Sequence, residues 1–173
     1  MEIKGSQTEN NLRSIVSGEA QSALLYDLFA EKAEADGFEG IAAVLRETAG
    51  NERAHAKIFL DLLECISFTG QNLISAAETE KHESGVLYPQ FAAEARAEGL
   101  IQVAETMERI AEIEREHEAR FRSLEESVRT NAVFAGKGSV VWICRNCGHR
   151  VESPEAPAIC PVCKHPRAYF ETV

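Results

Sequence analysis

Apolar and small residues recur every three or four positions through the first 130 residues, the spacing of one face of a helix. Ser6 and Glu9 have the spacing of a capping box, so we expect the first helix to begin there. It ends at Asp36-Gly37, because glycine suits the left-handed residue just past a helix. Three further helices are predicted. The second covers about residues 38–65, the third runs from the break at 67–72 to a second helix-ending glycine at Gly99, and the fourth covers residues 100–129.

The helical part is a duplicated helix pair with an offset of 62 residues. Sliding the chain by that offset superimposes eight pairs without a gap: Tyr26 on Tyr88, Phe29 on Phe91, Ala30 on Ala92, Ala33 on Ala95, Gly37 on Gly99, Ala49 on Ala111, Phe59 on Phe121 and Leu62 on Leu124. The sequence therefore predicts a mainly α fold built from two similar helical hairpins.

Each hairpin carries a Glu-x-x-His tetrad, Glu52 to His55 in the first and Glu114 to His117 in the second. Residues three apart leave the same face of a helix, so each tetrad offers a carboxylate and an imidazole to one point. Such a pair also occurs on solvated helix faces that bind nothing. The recurrence of the tetrads in register within a duplication favours a metal site.

The other two helices supply acidic residues that match the tetrads. Glu19 lies on the same side of the first helix as Tyr26, and the third helix carries Glu80 and Glu83. Five carboxylates meeting without cations would repel and take up protons, whereas two divalent ions offset that cost. Apart from the extra Glu, this is the ligand set of carboxylate-bridged di-iron or di-manganese bundles.

Pro89 follows Tyr88 inside the third helix and predicts a kink or local widening there.

Composition restricts the classes of function. A formal charge of -10 repels nucleic acid and anionic lipid, so neither is expected as a partner. No apolar run approaches the ~18 residues of a membrane span, and we expect a cytoplasmic protein.

The chain after the helices predicts a second, smaller domain. Residues 1–130 form the helical domain, the small and polar residues 131–139 are typical of a linker, and residues 140–173 hold two Cys-x-x-Cys pairs, Cys144 with Cys147 and Cys160 with Cys163. Four thiolates from two tight knuckles suit a tetrahedral metal. Zinc and iron both fit this pattern. Trp142, Tyr169 and Phe170 are expected to form an aromatic shell around it, and His149 and His165 to be exposed.

In this order the motifs closely resemble rubrerythrin, from about residue 3 to residue 173. The resemblance implies a ferritin-like four-helix bundle with two iron ions, a rubredoxin-like domain with one iron on four cysteines (zinc being a possible substitute), and reduction of hydrogen peroxide to water. It also implies electrons from an external flavoprotein or rubredoxin-type reductase. By position, Glu52 and Glu114 would bridge the irons, Glu19 and Glu80 would be terminal ligands, and His117 would bind one iron. The other iron would exchange His55 for Glu83 on oxidation, and Tyr26 and Tyr88 match tyrosines that flank the family's site.

The connection between the second and third helices is short for a ferritin-like topology, in which these two helices run parallel. Six or seven residues reach at most about 24 Å, whereas the return must cover roughly 27 Å. We therefore expect a homodimer that is domain-swapped between helices one and two of one chain and helices three and four of another.

Two other functions remain possible from the residues: a ferroxidase or iron-handling protein, and a non-catalytic bundle with a zinc ribbon.

Overall fold

The computed structural model describes residues 3–172, and the chain divides into two units, Met1–Ser67 and Phe68–Val173. The first unit is a hairpin of helices α1 (Gln7–Ala35) and α2 (Glu39–Leu62). The second contains α3 (Thr69–His82), a π-helix (Glu83–Leu87), α4 (Tyr88–Ala97) and α5 (Ile101–Arg129), followed by strands β1 (Ala135–Cys144), β2 (Arg150–Glu155) and β3 (Phe170–Thr172). The predicted mainly α fold with a small strand-containing domain is confirmed. Within the described residues, no helix is both long and apolar enough to cross a membrane.

The predicted helix ends are found close to the expected residues. The Ser6 hydroxyl accepts from the backbone N–H of Glu9, and the Glu9 carboxylate accepts from Gly5 rather than from the cap itself. Gly37 and Gly99 both have positive φ, 84° and 81°, and each ends its helix. The second helix, however, ends at Leu62 and the third begins at Thr69, so the break comprises residues 63–68 rather than 67–72.

The two hairpins repeat the same packing. Ala30, Ala33 and Ala42 pack with Leu45 in the first, and the residues 62 positions later, Ala92, Ala95 and Ala104 with Met107, pack in the second. An ion pair is repeated with its charges exchanged: Glu34 pairs with Arg46, and at the corresponding positions Arg96 pairs with Glu108 at 2.7 Å. Small side chains at these positions let the paired helices approach closely, which sets the carboxylates of facing helices within reach of each other.

Both hairpins leave large apolar side chains exposed. The buried residues of α1 and α2 are all alanine, whereas Leu24, Phe29 and Val44 are 61%, 50% and 62% exposed. The second unit has the same character on its helices, with Val86, Phe91 and Ile113 exposed. A hairpin two helices thick buries only one stripe of each helix, so a second layer is needed to cover the rest.

The expected kink at Pro89 takes the form of a π-helix. The backbone N–H of Tyr88 donates to the carbonyl of Glu83, five residues back. Proline has no N–H for the carbonyl four residues before it, Gly85, and its ring crowds that carbonyl. One wider turn relieves this conflict, so the predicted local widening is confirmed.

The carboxy-terminal domain is a three-stranded antiparallel sheet in the order β2-β1-β3. Strand β1 begins at Ala135, which pairs with Glu155, so it overlaps the second half of the predicted linker. Trp142 and Phe170 are buried with two of the cysteines, and the Trp142 indole donates to the Ser153 carbonyl at 3.1 Å. Tyr169 does not join this core as expected: it is 40% exposed and packs edge-on against His165.

Candidate metal centres

Glu19, Glu52 and His55 meet in the first unit and form what we call the first cluster. Helix α1 supplies Glu19 and α2 supplies the other two. His55 Nδ1 lies 2.9 Å from a Glu52 oxygen and 3.6 Å from a Glu19 oxygen. The predicted Glu-x-x-His geometry is therefore present, with a facing carboxylate from the neighbouring helix.

Glu80, Glu114 and His117 form an equivalent second cluster in the second unit, from α3 and α5. His117 Nδ1 lies 2.6 Å from a Glu114 oxygen and 4.0 Å from a Glu80 oxygen. The two clusters thus have the same ligand types in the same geometry. Each cluster holds two oxygen donors and one nitrogen donor, a set suited to a first-row divalent ion such as Fe²⁺ or Mn²⁺.

One carboxylate of each cluster, Glu19 in the first and Glu80 in the second, has a raised pKa. A hydrogen bond with Glu52 raises the pKa of Glu19, helped by burial, and the pKa of Glu52 is lowered by the same hydrogen bond. Burial raises the pKa of Glu80, and its hydrogen bond and repulsion with Glu114 add to this. Two carboxylates that face each other repel, and a proton held between them reduces that repulsion. A metal cation would do the same, so the paired carboxylates of each cluster fit a positively charged metal.

Glu83 and Tyr88 stand beside the second cluster without belonging to it. Glu83 is the first residue of the π-helix, and its charge helps to raise the pKa values of Glu80 and Tyr88. Burial is the largest cause of the raised Tyr88 pKa, followed by the charges of Glu114, Glu83 and Glu80. In the first unit, Tyr26 is half-buried and packs against Phe29 with ring centroids 6.4 Å apart.

The four predicted cysteines converge in the carboxy-terminal domain. The sulfurs of Cys144 and Cys163 are 3.6 Å apart, and those of Cys147 and Cys160 are 3.7 Å apart. A tetrahedral ion with metal–sulfur bonds of about 2.3 Å requires sulfurs about 3.8 Å apart, whereas a disulfide brings them to about 2 Å. The four-cysteine cluster therefore has the spacing of a metal site.

Backbone N–H groups tune this cluster, a contribution that the sequence reasoning missed. A hydrogen bond from the backbone of His165 lowers the pKa of Cys163 to about 5. The backbone of His149 likewise favours the Cys147 thiolate, but burial and the neighbouring thiols raise the pKa of Cys147 to about 12. Four thiolates need a cation to remain ionised together. Both histidines are half-buried, whereas the sequence analysis predicted them to be exposed. The Cys-x-x-Cys-x-His spacing, which occurs in both cysteine pairs, was the sequence signal that could have indicated these backbone hydrogen bonds.

Comparison with known proteins finds relatives that match over nearly the whole chain. Residues 10–125 match the family model described as Rubrerythrin, and residues 142–171 match the rubredoxin-like domain of rubrerythrin. A rubrerythrin of Porphyromonas gingivalis is 41% identical, covering 98% of this chain and 91% of the relative. One of Nitratidesulfovibrio vulgaris is 38% identical, covering 98% and 95%. A solved structure of nigerythrin in a partially reduced state is 24% identical, covers 99% of this chain and 89% of its own, and gives a TM-score of 0.38.

The three clusters are consistent with the iron centres that the resemblance implied, two Glu/His clusters and one four-cysteine cluster. The fit to iron rests on the donor types in the helical clusters and on the sulfur spacing in the cysteine cluster. The chain belongs to the rubrerythrin family of di-iron, peroxide-reducing proteins.

Proposed function

We propose that this protein reduces hydrogen peroxide to water at a di-iron centre that is re-reduced through the four-cysteine iron. The observation that carries the proposal is the pair of matched clusters, each with two carboxylates and one imidazole. Two bound ferrous ions would supply the two electrons that cleavage of the O–O bond requires, and with two protons each hydrogen peroxide would yield two waters.

The proposed ligand roles are those that the resemblance to rubrerythrin implies. Glu52 and Glu114 would bridge the two irons, Glu19 and Glu80 would be terminal ligands, and His117 would hold one iron. The short distances from His55 to Glu52 (2.9 Å) and from His117 to Glu114 (2.6 Å) support assigning each pair to one metal centre. Glu83 is the proposed replacement for His55 on the other iron after oxidation. Its position at the start of the π-helix supports this, because a wider turn gives the side chain room to move. A gain of one negative ligand would stabilise the ferric state.

Tyr88 is the proposed hydrogen-bond donor of the site. Its raised pKa means that the hydroxyl keeps its proton at any physiological pH. A protonated phenol beside carboxylates can donate to an oxygen that gains negative charge as the O–O bond breaks. Tyr26 is the corresponding residue of the first hairpin.

We also propose that the di-iron centre forms between two chains of a domain-swapped homodimer. In a ferritin-like bundle α2 and α3 would run parallel, with His55 and Glu80 at the same level. The helix rises about 10 Å from His55 to Leu62 and about 17 Å from Thr69 to Glu80, so the connection between the helices would have to span roughly 27 Å. The connection from Leu62 to Thr69 extends to about 24 Å at most. The exposed apolar faces of both hairpins supply the surface that such a dimer would bury. Light scattering that shows a monomer at micromolar concentration would contradict it.

The experiment that tests the catalytic proposal is anaerobic turnover. The protein, loaded with three irons per chain, is mixed with excess peroxide and a reductant, and consumption of many peroxide equivalents per protein is expected. A protein that instead oxidises added ferrous ion and accumulates mineral is an iron-handling protein. A colourless protein with zinc in the four-cysteine cluster has no internal electron donor. The external flavoprotein or rubredoxin-type reductase is proposed as the natural source of electrons.

A further inference from the structure

Ser22 occupies, in the first hairpin, the position that Glu83 occupies in the second. Ser22 follows Glu19 by three residues, and Glu83 follows Glu80 by three. Both segments are α-helical up to that residue, because the wide turn of the second hairpin begins at Glu83 itself. Residues three apart leave the same face of a helix, so Ser22 lies on the face of α1 that carries Glu19.

The side chain of Ser22 is half-buried, and its hydroxyl is not used by its own helix. Serine and threonine hydroxyls within helices commonly donate to the carbonyl three or four residues back. Several helical residues of this protein make that bond with the carbonyl four residues back, namely Ser14, Thr48, Thr79, Thr106 and Ser127. Among the described residues, the Ser22 hydroxyl has no hydrogen-bond partner. It is therefore a donor left available on the face of Glu19.

Gly18 keeps open the space beside that hydroxyl. Side chains of a helix point back toward its amino terminus, so the Ser22 side chain lies over the turn that contains Gly18, four residues earlier. A Cβ built on Gly18 would point into open space, and apart from its neighbours along the chain no side chain lies within 4 Å of it. Glycine inside a helix is less stable than alanine, so helix stability alone does not account for Gly18. Gly18 and Ser22 together form an open notch beside the first cluster, which we call the α1 notch.

We propose that Ser22 is a specificity-determining residue, whose hydroxyl donates a hydrogen bond to hydrogen peroxide in the α1 notch and so favours peroxide over dioxygen. This inference rests on the proposed function, since it assigns a residue that recognises the proposed substrate. Peroxide both donates and accepts hydrogen bonds, whereas dioxygen has no proton to donate and is a poor acceptor because it carries neither charge nor dipole. A hydroxyl therefore distinguishes the two molecules although they are similar in size.

The difference between serine and glutamate at the two matching positions fits this role. Glu83 is long enough to reach a metal ion, which is its proposed role after oxidation, whereas a serine side chain ends nearer its helix and leaves room for a small molecule. The neutral hydroxyl also adds no negative charge to a cluster that already holds the carboxylates of Glu19 and Glu52. The first hairpin thus contributes a substrate contact at the position where the second contributes a proposed ligand.

A binding assay tests the hydrogen bond without turnover. Azide, a small anion that accepts hydrogen bonds and binds ferric iron, is the probe, and its dissociation constant for the oxidised, iron-loaded protein is measured from the visible spectrum. We expect S22A to weaken azide binding by about three- to tenfold, the range for loss of one neutral hydrogen bond. S22T keeps a hydroxyl and should stay within about twofold of wild type. The control is S17A, since Ser17 is exposed and lies about 160° around α1 from Glu19.

Selectivity is measured by mixing the reduced, iron-loaded protein with each oxidant in a single turnover. With hydrogen peroxide, the second-order rate constant of S22A should be about three- to tenfold lower than that of wild type. With dioxygen it should change by less than about twofold, because dioxygen makes no comparable hydrogen bond. S17A should match wild type with both oxidants, and iron content and melting temperature should be the same in all variants.

Two outcomes would overturn the assignment of Ser22. Equal losses of S22A with peroxide and with dioxygen would mean that Ser22 supports the structure of the site rather than recognising peroxide. Azide binding that is the same in S22A and S17A would mean that the Ser22 hydroxyl does not face the centre. If the wild-type protein fails to react with peroxide, the catalytic proposal fails, while the azide titration still decides whether Ser22 donates a hydrogen bond there.

Discussion

Glu80 follows Glu19 by 61 residues, whereas Tyr88 follows Tyr26 by 62. The π-helix Glu83–Leu87 lies between Glu80 and Tyr88, and helix α1 is regular between Glu19 and Tyr26. The second hairpin therefore contains one extra residue, and the π-helix absorbs it. The wider turn offsets the extra residue, so Glu80 and Tyr88 keep the relative direction that Glu19 and Tyr26 have in the first hairpin.

Removing the extra residue should convert the second hairpin into a copy of the first. We expect deletion of Gly85 together with P89A to leave a continuous α-helix, because the substitution restores the backbone donor that proline lacks. The second cluster should still bind metal, while peroxide turnover should fall by about tenfold or more because Glu83 loses its wide turn. Combining the deletion with E83Q should lower turnover little further. Circular dichroism and turnover measure the two effects.

The control is deletion of Ala23 from α1, which contains no extra residue to remove. That deletion rotates Glu19 by about 100° relative to Tyr26, so it should abolish metal binding in the first cluster. If the two deletions have equal effects on metal binding, the π-helix does not absorb an inserted residue.

Most of the site was predictable because its signals are local or periodic. The Glu-x-x-His tetrads, the glycine stops and the cysteine pairs each depend on a few neighbouring residues. Pro89 indicated a distortion, but its form as a π-helix follows from the one-residue difference between repeats. The exposure of Tyr169 and the start of β1 at Ala135 depend on tertiary packing and strand pairing, which local composition does not report.

Mixing two inactive variants should restore activity if the dimer is swapped. One variant lacks the first cluster (E19A/E52A/H55A) and the other lacks the second (E80A/E114A/H117A). In a swapped heterodimer, the intact hairpin of each chain meets that of its partner, so one complete site forms. After refolding together, about a quarter of the sites should be active by statistical pairing of identical subunits. Turnover by the mixture, against none from either variant alone, checks this.

Lengthening residues 63–68 provides the matched test. An insertion of about ten Gly/Ser residues makes the connection long enough to close the bundle within one chain. The lengthened protein should retain peroxide turnover, while the two lengthened cluster variants should no longer complement each other when mixed. Complementation that persists unchanged would show that connection length does not decide the pairing.

The metal-free protein should show opposite pH effects for two glutamates. The folded pKa of Glu80 is raised, so its stabilising contribution is present at low pH and lost as pH rises through that pKa. Compared with wild type, E80Q should therefore gain thermal stability as pH rises from 4 towards 8. Arg96 lowers the pKa of Glu108, so E108Q should lose stability over the ordinary carboxyl range as pH rises. Melting temperatures of apo wild type and both variants measure the two trends, and parallel trends would contradict the assignment.

Tyr88 and Tyr26 should contribute unequally to turnover although they occupy matching positions in the two hairpins. Burial and then three carboxylates of the second hairpin raise the pKa of Tyr88, which shows that Tyr88 lies beside the second cluster. A positioned proton donor typically accelerates a reaction by about 10²- to 10⁴-fold, so Y88F should lower kcat by about 10²-fold with iron content unchanged. Y26F should lower kcat less, since Tyr26 packs against Phe29. Equal losses of kcat in both variants would mean that the two tyrosines serve the site symmetrically, and that the position of Tyr88 beside the second cluster gives it no special role.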